Sequence, residues 1–166
     1  MPTDQNLKDA FAGESQANRK YLAFAKKAEQ EKLPNVAKLF RAAAEAETVH
    51  AHAHLRVMGG VKTTADNLQA AIDGEGYEFK TMYPAFVAEA ETEGNKAALA
   101  SFKNAMAVEK VHHDMYAQAL AAVKSGEDLP AGPVYVCAVC GNTVKGAAPD
   151  TCAVCGVGKD RFVEVK

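Results

Sequence analysis

Residues 36–57 read VAKLFRAAAEAETVHAHAHLRV, and the fold class turns on this stretch. Alternating steps of four and three from Val36 select Phe40, Ala43, Glu47, His50, His54 and Val57, a helix-period stripe. A carboxylate and imidazoles interrupt it near the middle. Ionised groups on an inward helix face are costly to bury unless an opposite charge meets them. Three other stretches carry stripes of the same kind. The first helix offers Leu7, Phe11, Glu14, Asn18, Tyr21 and Ala25. The third offers Leu68, Ile72, Glu75, Glu78, Met82 and Phe86. The fourth offers Leu99, Phe102, Met106, Glu109, then His112 or His113, Tyr116 and Leu120.

Helices are expected at 4–32 with Thr3 as N-cap, at 36–58 ending on Gly59-Gly60, at 66–93, and at 96–124. Pro84 predicts a kink in the third. Loops of about three residues make helices 1 and 2, and helices 3 and 4, antiparallel hairpins. The stretch from Gly59 to about Asp66, lengthened by weak helix formers towards Gly76, reaches about ten residues. Extended, ten residues span the ~33 Å of a ~22-residue helix, the long crossover of a ferritin-like bundle. An up-and-down bundle stays open if the third helix starts at Asp66.

The stripes repeat in order. Glu14 is followed 33 residues later by Glu47-x-x-His50, and Glu75 is followed 34 residues later by Glu109-x-x-His112. Each hairpin thus contributes one Glu from its first helix and Glu-x-x-His from its second, the ligand set of dinuclear carboxylate bundles. Two divalent ions would balance the buried carboxylates. Glu78 adds a fifth carboxylate on the face of Glu75, with a direct or a supporting role equally open. His52 points away from the stripe; His54 is either a supporting residue or a packed one.

Composition narrows the function. The 166 residues carry 19 Lys+Arg against 21 Asp+Glu, a formal charge of −2, with no basic stripe for nucleic acid or an anionic membrane. No apolar run approaches the ~18–20 residues of a membrane span. All five His lie between residues 50 and 113, whereas all four Cys lie between 137 and 155. Two modules are therefore expected: 1–126, a linker at 127–133 with Pro130, Gly132 and Pro133, and a tail at 134–166. In the tail, Val134–Val136 and Phe162–Val165 read as pairing strands. Cys137-x-x-Cys140-Gly141 and Cys152-x-x-Cys155-Gly156 are two knuckles that aim four thiolates at one metal, iron or structural zinc. A unit this small rarely folds without a metal. The N-terminal MPTDQNLKDAFAGE has no basic-then-apolar segment, and paired CxxC motifs suit reduced thiols, so the cytoplasm is the expected compartment.

The motifs GESQANRKY (13–21), AEAETVHA (44–51), GEGYEFKTMYPAF (74–86) and VEKVHHDMY (108–116) together resemble the rubrerythrin family, along the whole chain. CGVGKDRF (155–162), with Tyr135 ahead of the first knuckle, resembles rubredoxin, although Ala153 stands where rubredoxins usually have Pro. The resemblance implies a mainly α, ferritin-like four-helix bundle with a small β-rich rubredoxin-like metal domain. It implies a di-iron centre bridged by Glu47 and Glu109, with Glu14 and Glu75 terminal and His112 on one iron. The other iron would exchange Glu78 for His50 between oxidation states, and Tyr21 and Tyr83 would hydrogen-bond the ligand carboxylates. The four cysteines would hold one further iron.

The implied activity is reduction of hydrogen peroxide to water, in protection against oxidative stress. Electrons would pass through the rubredoxin-like iron, drawn from NAD(P)H by a separate reductase or by free rubredoxin. No GxGxxG follows a strand, so direct nicotinamide binding is not expected. A ferroxidase or iron-handling protein is the alternative, and a non-enzymatic binding protein with zinc in its tail is a third. A homodimer is implied, with the tetrathiolate of one subunit near the di-iron site of the other and exchange of helix hairpins open.

Overall fold

The computed structural model describes all residues from Met1 to Lys166. They fall into two compact units, Met1–Lys62 and Thr63–Lys166. The fold class is mainly α: four long helical stretches in two hairpins, then a small antiparallel sheet around four cysteines.

The first unit is the hairpin α1 (Pro2–Gln30) and α2 (Pro34–Val57). α1 starts two residues before the expected point: Met1 is the N-cap, Pro2 opens the helix, and Asp4 meets the terminal ammonium at 2.7 Å. Thr3 lies inside the first turn and caps nothing, because Pro already suits the first helical position. The deepest residues are small. Ala25, Ala28 and Ala37 pack with Phe40, and Ala44 and Ala51 continue the line along α2. The expected stripe flanks this line, and its ends, Val36 and Val57, are exposed. Alanines permit the closest helix approach, so they, and not the bulkier residues, set the contact between α1 and α2.

In the second unit, α3 (Thr64–Tyr77) begins at a cap: Thr63 Oγ1 accepts from the Asp66 N–H at 3.2 Å. Only residues 58–63 therefore join the hairpins, fewer than the ten expected, because this cap outweighs the weak helix propensity around Gly74 and Gly76. The kink expected at Pro84 is instead a π turn at Glu78–Met82, after which α4 runs from Tyr83 to Thr92. The Tyr83 N–H reaches the carbonyl of Glu78, five residues back. Pro84 is the second residue of α4, in a first turn where its missing N–H costs least. α3 and α4 pack on α5 (Lys96–Lys124), which Asn95 caps by accepting from the Ala98 N–H at 3.1 Å.

The two hairpins are internal repeats. Lys32 and Gly94 occupy equivalent turns with φ of 62° and 67°, and the flanking backbone bonds match (Leu33 to Ala28, Asn95 to Ala90). From the aromatic residues onward the offset is a constant 62. Tyr21, Phe24 and Phe40 cluster with centroids 5.6–6.3 Å apart; Tyr83, Phe86 and Phe102 do so at 5.5–6.3 Å. The ion pair Arg41–Glu29 returns as Lys103–Glu91. Before the π turn the offset is 61, as Glu14 and Glu75 show. The π turn is thus one inserted residue, and it accounts for the 33- and 34-residue spacings.

The tail holds β1 (Val134–Cys137), β2 (Thr143–Lys145) and β3 (Phe162–Glu164) in the order β2-β1-β3. β1 and β3 pair as expected, with Val136 opposite Val163; β3 ends one residue before Val165. β2 carries no sequence signal of its own. Three residues are too few for a periodic signal, and its place depends on pairing Val136 with Thr143.

Candidate metal centres

Three groups of side chains converge. In the first unit, Glu14 on α1 meets Glu47 and His50 on α2, with His50 Nδ1 3.0 Å from Glu47 and 3.9 Å from Glu14. In the second, Glu75 on α3 meets Glu109 and His112 on α5, with His112 Nδ1 2.9 Å from Glu109 and 3.7 Å from Glu75. Within each triad the ligand atoms lie within 4.8 Å of one another. The i, i+3 spacing of Glu-x-x-His puts both groups on one face, and the hairpin turn sets the height of the third ligand.

The surroundings differ. The His50 side chain is 54% exposed, whereas that of His112 is 27% exposed. Glu78, on the π turn, stands beside the second triad. Burial raises its carboxyl and Glu109 raises it further. Burial, then the charge of Glu109, pushes Glu75 up to about 7. Carboxylates crowded in this way favour a bound cation, and the donor set of carboxylate oxygen and imidazole suits a divalent transition metal. Burial, then Glu78, Glu109 and Glu75, also raises the Tyr83 phenol, so it stays protonated beside the second triad. Tyr21 stands in its aromatic cluster against Phe24 and Phe40.

The remaining histidines separate cleanly. His113 stacks edge-on against Phe79 at 5.3 Å and meets Asp114. His54 is half-buried and His52 exposed; neither joins a triad. Asn18, buried on α1, donates to the Ala44 carbonyl at 2.7 Å and to Thr48 Oγ1 at 2.8 Å, fixing α1 to α2 beside Glu47.

In the tail, Cys137 and Cys155 sulfurs lie 3.7 Å apart, and those of Cys140 and Cys152 lie 3.6 Å apart. Each knuckle turns on a glycine with positive φ, Gly141 at 85° and Gly156 at 75°, as its position after CxxC required. Burial pushes the Cys140 thiol up to about 12. At Cys152 burial acts the same way, but the N–H groups of Cys155 and Val154 outweigh it and lower that thiol to about 6. N–H groups aimed at sulfur favour thiolate, the form that binds metal.

Residues 5–120 match the rubrerythrin family model, and residues 135–163 match that of the rubrerythrin rubredoxin-like domain. The chain is 36% identical to rubrerythrin-2 of Clostridium acetobutylicum, covering 94% of this chain and 92% of that protein. The chain belongs to the rubrerythrin family. A rubrerythrin of Porphyromonas gingivalis is 33% identical over 99% of this chain and 90% of its own length. Nigerythrin in its fully reduced, all-ferrous state superposes with a TM-score of 0.59 at 32% identity, over 98% of this chain and 86% of that one. This rubrerythrin-family chain thus carries two carboxylate/histidine metal sites and one tetrathiolate site. No helix is long and apolar enough to cross a membrane.

Two residues escaped the sequence reading. Asn142 is buried, accepts the Cys137 N–H at 2.9 Å, and directs its amide at Cys152 Sγ at 3.7 Å. Thr143 Oγ1 lies 3.0 Å from His112 Nε2. The only sequence signal was the polar pair directly after Cys140-Gly141, a position where loops are polar anyway.

Proposed function

We propose that the chain is a non-haem di-iron peroxidase that reduces hydrogen peroxide to water. The observation that carries this reading is one chain holding a four-cysteine site as well as two carboxylate/histidine triads. The reaction takes two electrons and two protons and yields two waters. Glu14, Glu47 and His50, with Glu75, Glu109 and His112, would hold two irons, which would supply both electrons and the Lewis acidity that weakens the O–O bond.

The protein's own residues prepare that site. The glutamates would neutralise the metal charge. Glu78 offers a further carboxylate that can replace a ligand as the charge on the centre changes. The Tyr83 hydroxyl, kept protonated by burial and by the charges of Glu78, Glu109 and Glu75, would be a hydrogen-bond donor for these carboxylates; Tyr21 holds the equivalent place in the first hairpin. Cys137, Cys140, Cys152 and Cys155 would hold an iron that would return electrons one at a time, a reading supported by the all-ferrous state of the similar nigerythrin. The electrons come from rubredoxin or an NAD(P)H-dependent reductase. The working form is a cytoplasmic homodimer, which light scattering on the iron-loaded protein tests directly.

The deciding experiment mixes anaerobically reduced protein with peroxide or with oxygen and follows the visible absorbance. Oxidation at least about tenfold faster with peroxide supports the peroxidase. Equal or faster oxidation by oxygen, with ferrous ion consumed, points to a ferroxidase. Zinc found in the tetrathiolate of the native protein sinks the electron-transfer part.

A further inference from the structure

The two cysteine knuckles share one backbone pattern. The Cys137 N–H donates to the Asn142 carbonyl at 2.9 Å, and the Cys152 N–H donates to the Val157 carbonyl at 2.8 Å. Gly141 and Gly156 donate back to the carbonyls of Cys137 and Cys152, each at 2.9 Å. The Asn142 N–H meets the Cys140 sulfur as the Val157 N–H meets that of Cys155. The symmetry ends at one side chain. Asn142, 4% exposed, sends its amide across to the other knuckle, with Nδ2 3.7 Å from Cys152 Sγ. Val157 has no side-chain donor to send back. Thiolate sulfur accepts and cannot donate, so the amide turns its NH2 and not its oxygen to Cys152. Cys152 is itself buried, where a fixed dipole at close range is little screened by water.

We propose that the Asn142 side chain tunes the four-cysteine site, raising its reduction potential through the hydrogen bond to Cys152. With iron bound, the metal and its four thiolates carry one more negative charge in the ferrous state than in the ferric. The positive end of the amide dipole therefore stabilises the ferrous state more, and the site takes its single electron more readily from a one-electron reductant. The direction of the effect separates this role from a structural one. If Asn142 only filled space, an apolar residue of its size would leave the potential in place. If its loss merely loosened the knuckles, entering water would favour the more charged ferrous state and raise the potential. Loss of an aimed N–H lowers it. This inference rests on the reading of iron in the four-cysteine site; it does not rest on peroxide as the substrate.

The test uses the full chain loaded with iron, titrated with dithionite and one-electron mediators while the ferric absorbance of the tetrathiolate is followed. Asn142→Leu should shift the ferrous–ferric equilibrium about tenfold towards ferric, a fall of ~59 mV for one electron. Asn142→Asp, the same shape without the donor and with a negative charge, should fall further. A second readout needs no iron. In protein loaded with a magnetically active cadmium isotope, proton–cadmium correlation should link the metal to an Asn142 amide proton through Cys152 Sγ. Asn142→Leu should lose that peak. A potential that stays or rises in both variants overturns the tuning. A missing amide peak in the cadmium-loaded parent overturns the hydrogen bond. If the site takes zinc and refuses iron while the peak is present, the iron reading fails and takes the potential with it, and the hydrogen bond stands.

Discussion

The two triads have nearly the same spacing in sequence and almost the same internal distances, yet their settings differ. Glu14, Glu47 and His50 line an open hairpin, with His50 more than half exposed. Glu75, Glu109 and His112 have a second carboxylate, Glu78, a raised Tyr83 phenol and the Thr143 hydroxyl around them. The extra carboxylate is a substitution at an equivalent position, and the inserted residue of the π turn follows it. Three residues after Glu14 stands Ala17, on a regular helix; three after Glu75 stands Glu78, where the π turn begins. A duplicated hairpin fixes where metals bind, and a substitution beside a local break in one copy gives that copy additional chemistry.

The comparison breaks most sharply at its shared element. Glu47→Gln and Glu109→Gln should each abolish the helical centre, lowering iron from about three per chain towards one, the tetrathiolate. Metal analysis and the surviving visible spectrum check this; a variant that keeps full iron removes that glutamate from the ligand set. Next come the histidines. His112→Ala should weaken metal binding about tenfold more than His50→Ala, because Thr143 preorganises only His112. Competition with a coloured chelator measures the gap, and equal losses would mean that Thr143 does not help hold the ligand.

A deletion separates the triad from its extra carboxylate. Removing Lys80 makes the third helical stretch regular and sets Tyr83 seven residues after Glu75, as Tyr21 follows Glu14. The protein should keep its helical circular dichroism and both triads but lose about tenfold in peroxide turnover as Glu78 is displaced. Retained turnover would make the π turn ornamental.

The smallest effect is electrostatic. In metal-free protein the Glu75 carboxyl is raised to about 7, above an ordinary value of 4.5. Its contribution to stability is therefore complete below about 4.5 and is lost as pH rises through about 7. Glu75→Gln should flatten that part of the melting-temperature profile in chelator, whereas Glu14→Gln should leave it in place. Calorimetry across pH 4.5 to 8 provides the check.

Much of this was legible from residues alone. Glu47-x-x-His50 and Glu109-x-x-His112 declare themselves because i and i+3 share a helix face whatever surrounds the helix. The cysteine knuckles do so because CxxCG encodes its own turn, with glycine where φ must be positive. Other features followed from no local pattern. Helical stripes were read from bulky residues, but alanines set the contact of α1 with α2, since helix approach depends on the smallest side chains. The third helix starts at Thr64 because one Thr63 hydroxyl caps it. A π turn replaces the kink at Pro84 because backbone hydrogen bonds can lengthen by one residue instead of breaking.

By itself the sequence determined which residue types could bind metal, and their order: short-range spacing on a helix or a knuckle is a property of the backbone. Only the tertiary structure decided that Thr143, 31 residues beyond His112, holds that imidazole, and that Glu78, Tyr83 and Glu109 share one electrostatic environment. Contacts between distant segments depend on how elements pack, and packing leaves no periodic trace in the chain.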